Sequence, residues 1–197
     1  MKNRVAILIS GRGSNMEAIL RNVRDGLLAE CCTVSLVVSN HPEAEGLEKA
    51  ASYGVPTACV PSEGRSRETF ERALLDVLAP HHIDYVVLAG FMRILSPVFV
   101  QAYRDRILNI HPADTAAYQG ARGYEWAFEN GLEQTKVTVH VVDEGVDTGP
   151  VIACAPVDLR GARSLAEIEE RGLAVEHRLY SEALHRLFAG FVARPEI

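Results

Sequence analysis

The chain has 197 residues, enough for one full-sized domain and too few for two comfortable ones. Apolar residues make up 48% and charged residues 23%, an ordinary globular balance that supplies ample material for a core. The formal net charge of −6 excludes a protein that coats nucleic acid through a basic face, but leaves room for a small anionic ligand held by a few local groups. No apolar run approaches a membrane span, and the start Met1-Lys2-Asn3-Arg4 lacks the apolar stretch of a secretory signal. Cys31, Cys32, Cys59 and Cys154 show neither a C-x-x-C pair nor metal spacing. The expectation is a reduced cytoplasmic protein with no membrane association and no metal.

Short apolar runs alternate with amphipathic stretches along the whole chain. Residues 4–9 predict a buried strand. From Ser14, the apolar residues Met16, Ile19, Leu20, Val23 and Leu27 fall at helical spacing, with Gly26 near the end. Residues 34–38 predict a second strand, 43–53 a helix, 57–60 a short strand, and 66–79 a helix stopped before Pro80. Residues 85–89 and 106–110 predict two further strands, and Tyr124 to Asn130 a short helix closed by Gly131. Residues 137–142 alternate like a strand with one polar face, and 151–157 predict another. Ser164 to Ala189 is a long helix opened by a Ser-Leu-Ala-Glu capping box. Continuous β-branched runs alternating with helices predict a doubly wound, mostly parallel α/β sheet flanked by helices, in one domain over 1–197. Such sheets bind ligands beyond the carboxyl ends of their strands, so chemistry is expected after Ile9, Leu88 and Ile110.

Three motifs stand at those places. Ser10-Gly11-Arg12-Gly13-Ser14-Asn15 joins the first strand to the first helix. One reading is a turn with Ser14 and Glu17 as a capping box. The other is an anion cradle of free N–H groups at a helix N-terminus. Met16 stands where a dinucleotide fingerprint needs its third glycine, and no Gly-Lys-Ser/Thr follows, so a phosphate monoester fits better than a dinucleotide or ATP. In Asn109-Ile110-His111-Pro112, strand alternation puts Asn109 and His111 on one face, and Pro112 ends the strand. An amide and a protonated imidazole can both donate to an oxyanion. Asp143-Glu144-Gly145-Val146-Asp147-Thr148-Gly149-Pro150 reads as a tight loop between strands, with Asp143 and Glu144 solvated. Asp147, if folded toward His111, would raise its pKa and fix its orientation. His140, on the polar face of its strand, either points into the same site or bonds a neighbour.

Together, in this order and spacing, these motifs and Leu88-Ala89-Gly90-Phe91-Met92-Arg93-Ile94-Leu95-Ser96-Pro97 resemble the folate-dependent formyltransferase family over nearly the whole chain. The resemblance implies a Rossmann-like fold and transfer of a formyl group from 10-formyltetrahydrofolate to the amine of glycinamide ribonucleotide in purine synthesis. It implies catalytic roles for Asn109, His111 and Asp147, with Asp147 keeping His111 protonated. It assigns the ribonucleotide phosphate to Gly13, Ser14 and Asn15, and its ribose to Glu176. It places the folate against Met92, Arg93, Ile94 and Leu95, with Arg67 near its tail, Asn109 beside it, and Asp143, Glu144, Gly145, Val146 and Asp147 as the loop that closes over the pterin. The N-terminal half would then hold the ribonucleotide, and the C-terminal half the folate and the catalytic groups. No metal is implied, and the state would be monomer or homodimer.

One stretch departs from the family. Members commonly follow the histidine with Pro-Ser-Leu-Leu-Pro and a Pro-Gly pair, whereas this chain reads Pro112-Ala113-Asp114-Thr115-Ala116-Ala117-Tyr118-Gln119-Gly120. That loop must pack differently. The nearest rival is formyltetrahydrofolate hydrolase, since Gly120-Ala121-Arg122-Gly123-Tyr124 resembles the stretch after its histidine. The hydrolase usually carries an added N-terminal regulatory domain and lacks the Gly-x-Gly-Ser-Asn loop, so the transferase is the expectation. Formyltransferases acting on methionyl-tRNA carry a further nucleic-acid-binding domain, which an acidic chain ending after the long helix does not suggest. A non-catalytic binder of nucleotide or folate would have no need of all three catalytic residues.

Overall fold

The computed structural model describes residues 2–191. Strands β1 (Asn3–Ile9), β2 (Cys32–Ser39), β3 (Thr57–Cys59), β4 (Tyr85–Leu88), β5 (Ile107–His111), β6 (Gln134–Val141) and β7 (Val151–Asp158) form one seven-stranded sheet in the order β3-β2-β1-β4-β5-β6-β7. β1 to β5 pair in parallel, while β6 and β7 are antiparallel additions. The doubly wound architecture holds, with two refinements. An antiparallel pair needs no helical crossover, so β6 and β7 are joined by a loop, residues 142–150, which is the acidic third motif. His111 lies inside β5, where the sequence reading stopped that strand at Ile110.

Helices α1 (Ser14–Asp25), α2 (Glu45–Ser52), α3 (Arg67–Leu78), α4 (Pro97–Ala102), α5 (Gly123–Glu129) and α6 (Leu165–Phe188) cover the two faces. β1 shows why both faces are apolar. Val5, Ile7 and Ile9 join one core with Met16 and Ile19 of α1, Ala50 of α2, Ala127 of α5 and Leu184 of α6. Ala6 and Leu8 point the other way, into a second core with Phe70 and Leu74 of α3 and Phe99 of α4. α4 escaped the periodicity reading because six residues make under two turns; its signal is Ser96 at the cap followed by Pro97 at the first helical position.

The strand order reverses around β1. The chain runs outward from β1 to β2 and β3, then returns to place β4 on the other side of β1. The loops after β1 and β4 therefore part at a crevice above the carboxyl ends, where open α/β sheets bind ligands. They are tied together at its base: Ser10 N–H donates to the Gly90 carbonyl (3.1 Å), and the Ser10 hydroxyl accepts from Met92 N–H (2.8 Å) while donating to Asn40 Oδ1 (2.6 Å). α6 is moored to the same edge by Tyr180, fully buried, whose phenol faces the carbonyls of Leu88 (3.0 Å) and Leu108 (2.9 Å). Among the described residues no helix is long and apolar enough to cross a membrane.

Candidate active site

α1 is not opened by the capping box that the sequence suggests. Its cap is Gly13, in the left-handed region at φ 70°, and the Ser14 side chain makes no capping bond. Glu17 turns instead to Arg21 at 2.5 Å. The first-turn N–H groups of Ser14, Asn15 and Met16 are thus left without intrahelical acceptors, at the positive end of the helix dipole. Glycine is required at 13 for two reasons: a side chain is strained at positive φ, and a Cβ would lie 2.8 Å from Met16 Cε and 3.1 Å from Gly46 Cα. Lys49 donates to the Arg12 carbonyl at 2.8 Å and adds positive charge beside the loop.

Asn109 and His111 share one face of β5, opposite His140 and Thr138 of β6 in register. A register shift of β6 against β7 falls between Val139 and His140, and such irregularities re-aim side chains beside a site. The loop 142–150 folds back as Asp147 requires. Asp143 Oδ1 accepts from Gly145 N–H (3.0 Å) and from the Thr148 hydroxyl (2.7 Å), closing the turn. Asp147, at φ 54°, brings one oxygen to 3.4 Å from His111 Nδ1 and the other to 3.4 Å from His140 Nε2. Asp143 thus builds the turn instead of standing solvated.

These side chains border a cavity of about 410 Å³, walled by residues Phe91 to Leu95 and by Asp143, Gly145, Val146 and Asp147. Met92 is 73% exposed, and Ile94 and Val146 are also open, so the rim offers apolar surface to a flat ring. The wall is held from behind by buried Glu71 of α3, which accepts from Ser96 N–H at 2.7 Å and from its hydroxyl. Arg93 lies over the Phe70 ring at 4.9 Å. Two residues of the sequence-based folate set are not brought to the cavity. Arg67 is exposed at the start of α3, and Glu144 accepts from Gln101 Nε2 at 3.3 Å outside it.

Two features of the trio bear on its expected roles. Burial, at 3% exposure, pushes the His111 pKa below its ordinary value and outweighs the upward pull of Asp147. Burial also pushes the Asp147 carboxyl up, but its contacts with His140, Gly120 N–H (2.8 Å) and His111 prevail and leave it below the usual carboxylate range. Burial thus makes the His111 ring readier to give up a proton than a free imidazole, while Asp147 stays ionised to lower pH than a free carboxyl. The second feature concerns Asn109. Its Nδ2 already faces His140 Nε2 (3.2 Å) and donates to Asp147 Oδ1 (3.4 Å). His140 Nδ1 faces the Val141 carbonyl at 2.9 Å, and its Nε2 faces both this amide and the Asp147 carboxylate. His140 thus both enters the site and bonds its neighbours.

The divergent loop 112–123 reaches the trio through its backbone. His111 Nε2 faces the Tyr118 carbonyl at 3.0 Å, and Gly120 supplies the N–H on Asp147. Contacts of its own replace the missing prolines and leucines. Tyr118 stacks on Trp126 at 4.8 Å, and Asp114 pairs with Lys136 at 2.7 Å. Glu176, mid-way along α6, accepts from Asn15 Nδ2 and from the Tyr124 hydroxyl, each at 2.5 Å. Tyr124 and the backbone groups of Tyr118 and Gly120 are what sequence reasoning left out of the site, whereas it named His140 as a candidate. The polar face of β6 was the signal for His140.

The chain is a doubly wound α/β protein with an amide, an imidazole and a carboxylate converging at the carboxyl edge of its sheet. A family described as formyl transferase matches residues 3–184. The chain belongs to that family. It is 41% identical over 177 residues to phosphoribosylglycinamide formyltransferase of Escherichia coli (strain K12), covering 89% of this chain and 82% of that protein. It is 38% identical over 192 residues to the human trifunctional purine biosynthetic protein adenosine-3, covering 97% of this chain and 19% of that protein. The chain spans 14–19% of the length of such trifunctional relatives. The crystal structure of phosphoribosylglycinamide formyltransferase from Bacillus halodurans superposes with a TM-score of 0.91 at 37% identity, covering 98% of this chain and all of that one.

Proposed function

We propose that the protein transfers the formyl group of 10-formyltetrahydrofolate to the amine of glycinamide ribonucleotide. The observation that carries this reading is the convergence of Asn109, His111 and Asp147 on a cavity whose wall, at Gly90 and Met92, is hydrogen-bonded to Ser10 of the loop that leads into α1. The N–H groups of Gly13, Ser14 and Asn15 would take the phosphate, and Glu176 the ribose. The apolar rim of Met92, Ile94 and Val146 suits the pterin ring, and polar groups of residues 92–95 and 143–147 suit its edges. Arg93 faces this cavity, so it replaces the exposed Arg67 as the better basic partner for the folate tail.

The amine attacks the formyl carbon, and negative charge develops on the formyl oxygen. Two donors are in reach of that charge once the substrates displace their present partners. Asn109 Nδ2–H exchanges its long 3.4 Å contact with Asp147 for the oxygen, and His111 Nε2–H exchanges the Tyr118 carbonyl for it. Loose contacts of this kind tighten in the reacting complex. His111 Nδ1 lies 3.4 Å from the Asp147 carboxylate. A proton released by the amine and gained at Nδ1 makes the ring an imidazolium, and the ionised Asp147 stabilises it. Collapse breaks the bond between the formyl carbon and the folate nitrogen, that nitrogen takes up the proton, and tetrahydrofolate is released.

The test is to follow folate product by absorbance with and without glycinamide ribonucleotide. Turnover only with the ribonucleotide supports the transferase. Turnover in its absence overturns it in favour of hydrolysis, the reading that the Gly120–Tyr124 stretch keeps open.

A further inference from the structure

Gly172, Glu176 and Tyr180 lie four residues apart on one face of α6, so a single stripe of that helix faces the site. Tyr180 fixes the stripe to β4 and β5. Glu176 is only 5% exposed, and no cation pairs with it among the described residues. Two neutral donors hold it, from segments far apart in the chain: Asn15 Nδ2 at the start of α1 and the Tyr124 phenol of α5. Burial and this carboxylate push the phenol pKa up, so Tyr124 stays a donor. Asn15 is itself 7% exposed, and its Oδ1 has no hydrogen-bond partner among the described residues.

A buried carboxylate and a buried amide oxygen without a partner are both acceptors. Nothing about the core requires them, because apolar groups of the same shape would serve a purely structural role at lower desolvation cost. What such a cluster lacks is donors. An anion would be repelled there, whereas two adjacent hydroxyls would satisfy it. The cluster begins at Asn15, whose own N–H belongs to the anion cradle, so a phosphate on the cradle sets its attached sugar beside the acceptors.

We infer that Tyr124 is a specificity-determining residue of the ribonucleotide site: its phenol locks the Glu176 carboxylate so that, with Asn15 Oδ1, it selects a sugar bearing a vicinal diol. This rests on the proposed ribonucleotide reading and deepens it. The chain has made room for the phenol. A Cβ at Gly172 would collide with the Tyr124 ring, so the aromatic residue at 124 and the absence of a side chain at 172 form one device. Tyr124 does not touch the reacting atoms. Its effect passes through the geometry of Glu176, and a Phe at 124 keeps the ring while freeing the carboxylate.

The experiment measures binding of glycinamide ribonucleotide and its 2′,3′-dideoxy analogue by calorimetry, alongside steady-state kinetics. Tyr124→Phe is expected to weaken the ribonucleotide about tenfold, the usual scale for a hydrogen bond to a charged group. The dideoxy analogue should bind the variant and the unsubstituted protein alike. In kinetics the loss should appear in KM for the ribonucleotide, with KM for the formyl-folate unmoved. An equal loss for both ligands, or no loss for either, overturns the inference. Should Tyr124→Phe fail to fold, Gly172→Ala displaces the phenol from outside the pocket and should reproduce the hydroxyl-dependent loss; a loss blind to the hydroxyls overturns the inference. Failure of the unsubstituted protein to bind the ribonucleotide overturns the function itself, and this inference with it. Binding without any role for Tyr124 overturns only the latter.

Discussion

Asp147 and Glu176 are both acids set among buried side chains, one on a loop and the other in the middle of a helix. Glu176 has two short contacts of 2.5 Å from neutral donors, on a helix moored by Tyr180. Asp147 is held by one short backbone bond from Gly120 N–H (2.8 Å), but its side-chain contacts to two imidazoles and to an amide are all 3.4 Å, and it sits at a strained left-handed position. A group that only recognises benefits from being fixed in advance. A group that must answer a charge appearing during reaction benefits from partners that can exchange. On the proposed function, the same side-chain chemistry would serve binding at one place and turnover at the other.

The largest effect should come from breaking the exchangeable side. Asp147→Asn removes the charge that stabilises an imidazolium at His111, and Asn109→Ala removes an oxyanion donor. Each is expected to lower kcat by about 10²–10³ with a smaller change in either KM, since loss of one such donor has that scale. Initial rates at saturating substrates check it. A KM effect without a kcat effect would erase the distinction between the two acids.

The fixed side should answer in the other parameter. Glu176→Gln removes the charge and replaces one of the two acceptor oxygens by an NH2 that faces either the Asn15 or the Tyr124 donor. The expected result is a KM for the ribonucleotide raised about tenfold to a hundredfold, from roughly 1.4–2.8 kcal/mol of lost recognition, with kcat little changed. Titration of the ribonucleotide in the steady state measures it. A dominant kcat loss would place Glu176 among the reacting groups and break the comparison.

The two regions also differ in how far they can be read from residues alone. The cradle is local: a strand, two glycines and a helix start lie in one short stretch, so its place was legible. Its cap was misjudged, because Ser14 and Glu17 fit a capping box by type while Gly13, packed on Gly46, takes the cap by geometry. β5 was legible too, and strand alternation put Asn109 and His111 on one face. What periodicity could not supply is contact between distant segments. The Tyr124–Glu176 bond spans 52 residues, and Gly120 meets Asp147 across 27. Nor does a motif report its own dryness. Asp147 was expected to raise the His111 pKa, yet the ring's burial, a property of the folded whole, decides the direction.

Gly13→Ala tests the rigidity of the cradle itself. The substitution adds strain at φ 70° and a contact of 2.8 Å with the flexible end of Met16. A cost of about 1–2 kcal/mol follows from the backbone conformation, and for a chain of this size each kcal/mol lowers Tm by about 2–4 °C. Thermal unfolding with and without inorganic phosphate reads both stability and anion binding. An unchanged Tm would mean that the loop relaxes freely, and the fixed character of this side would be lost.

The smallest effect is a slope, and it tests the resting protonation of the catalytic side. The folded His111 pKa lies below the ordinary 6.5 because of burial, so the unfolded chain binds more protons as pH falls beneath 6.5. Stability must then rise with pH up to that value and level off above it, as far as this group is concerned. Asp147 acts in a lower window: its depressed pKa gives stability that is present above the ordinary 3.8 and lost as pH falls through the folded value. The two windows separate the partners. His111→Asn should flatten the stability curve just below pH 6.5 while leaving the acid limb in place, and chemical denaturation across pH measures both. A curve that instead falls as pH rises through 6.5, and loses that fall in the variant, would mean that the imidazolium is the resting form. The carboxylate would then have prevailed over burial, and Asp147 would be as firmly committed to its partner as Glu176 is.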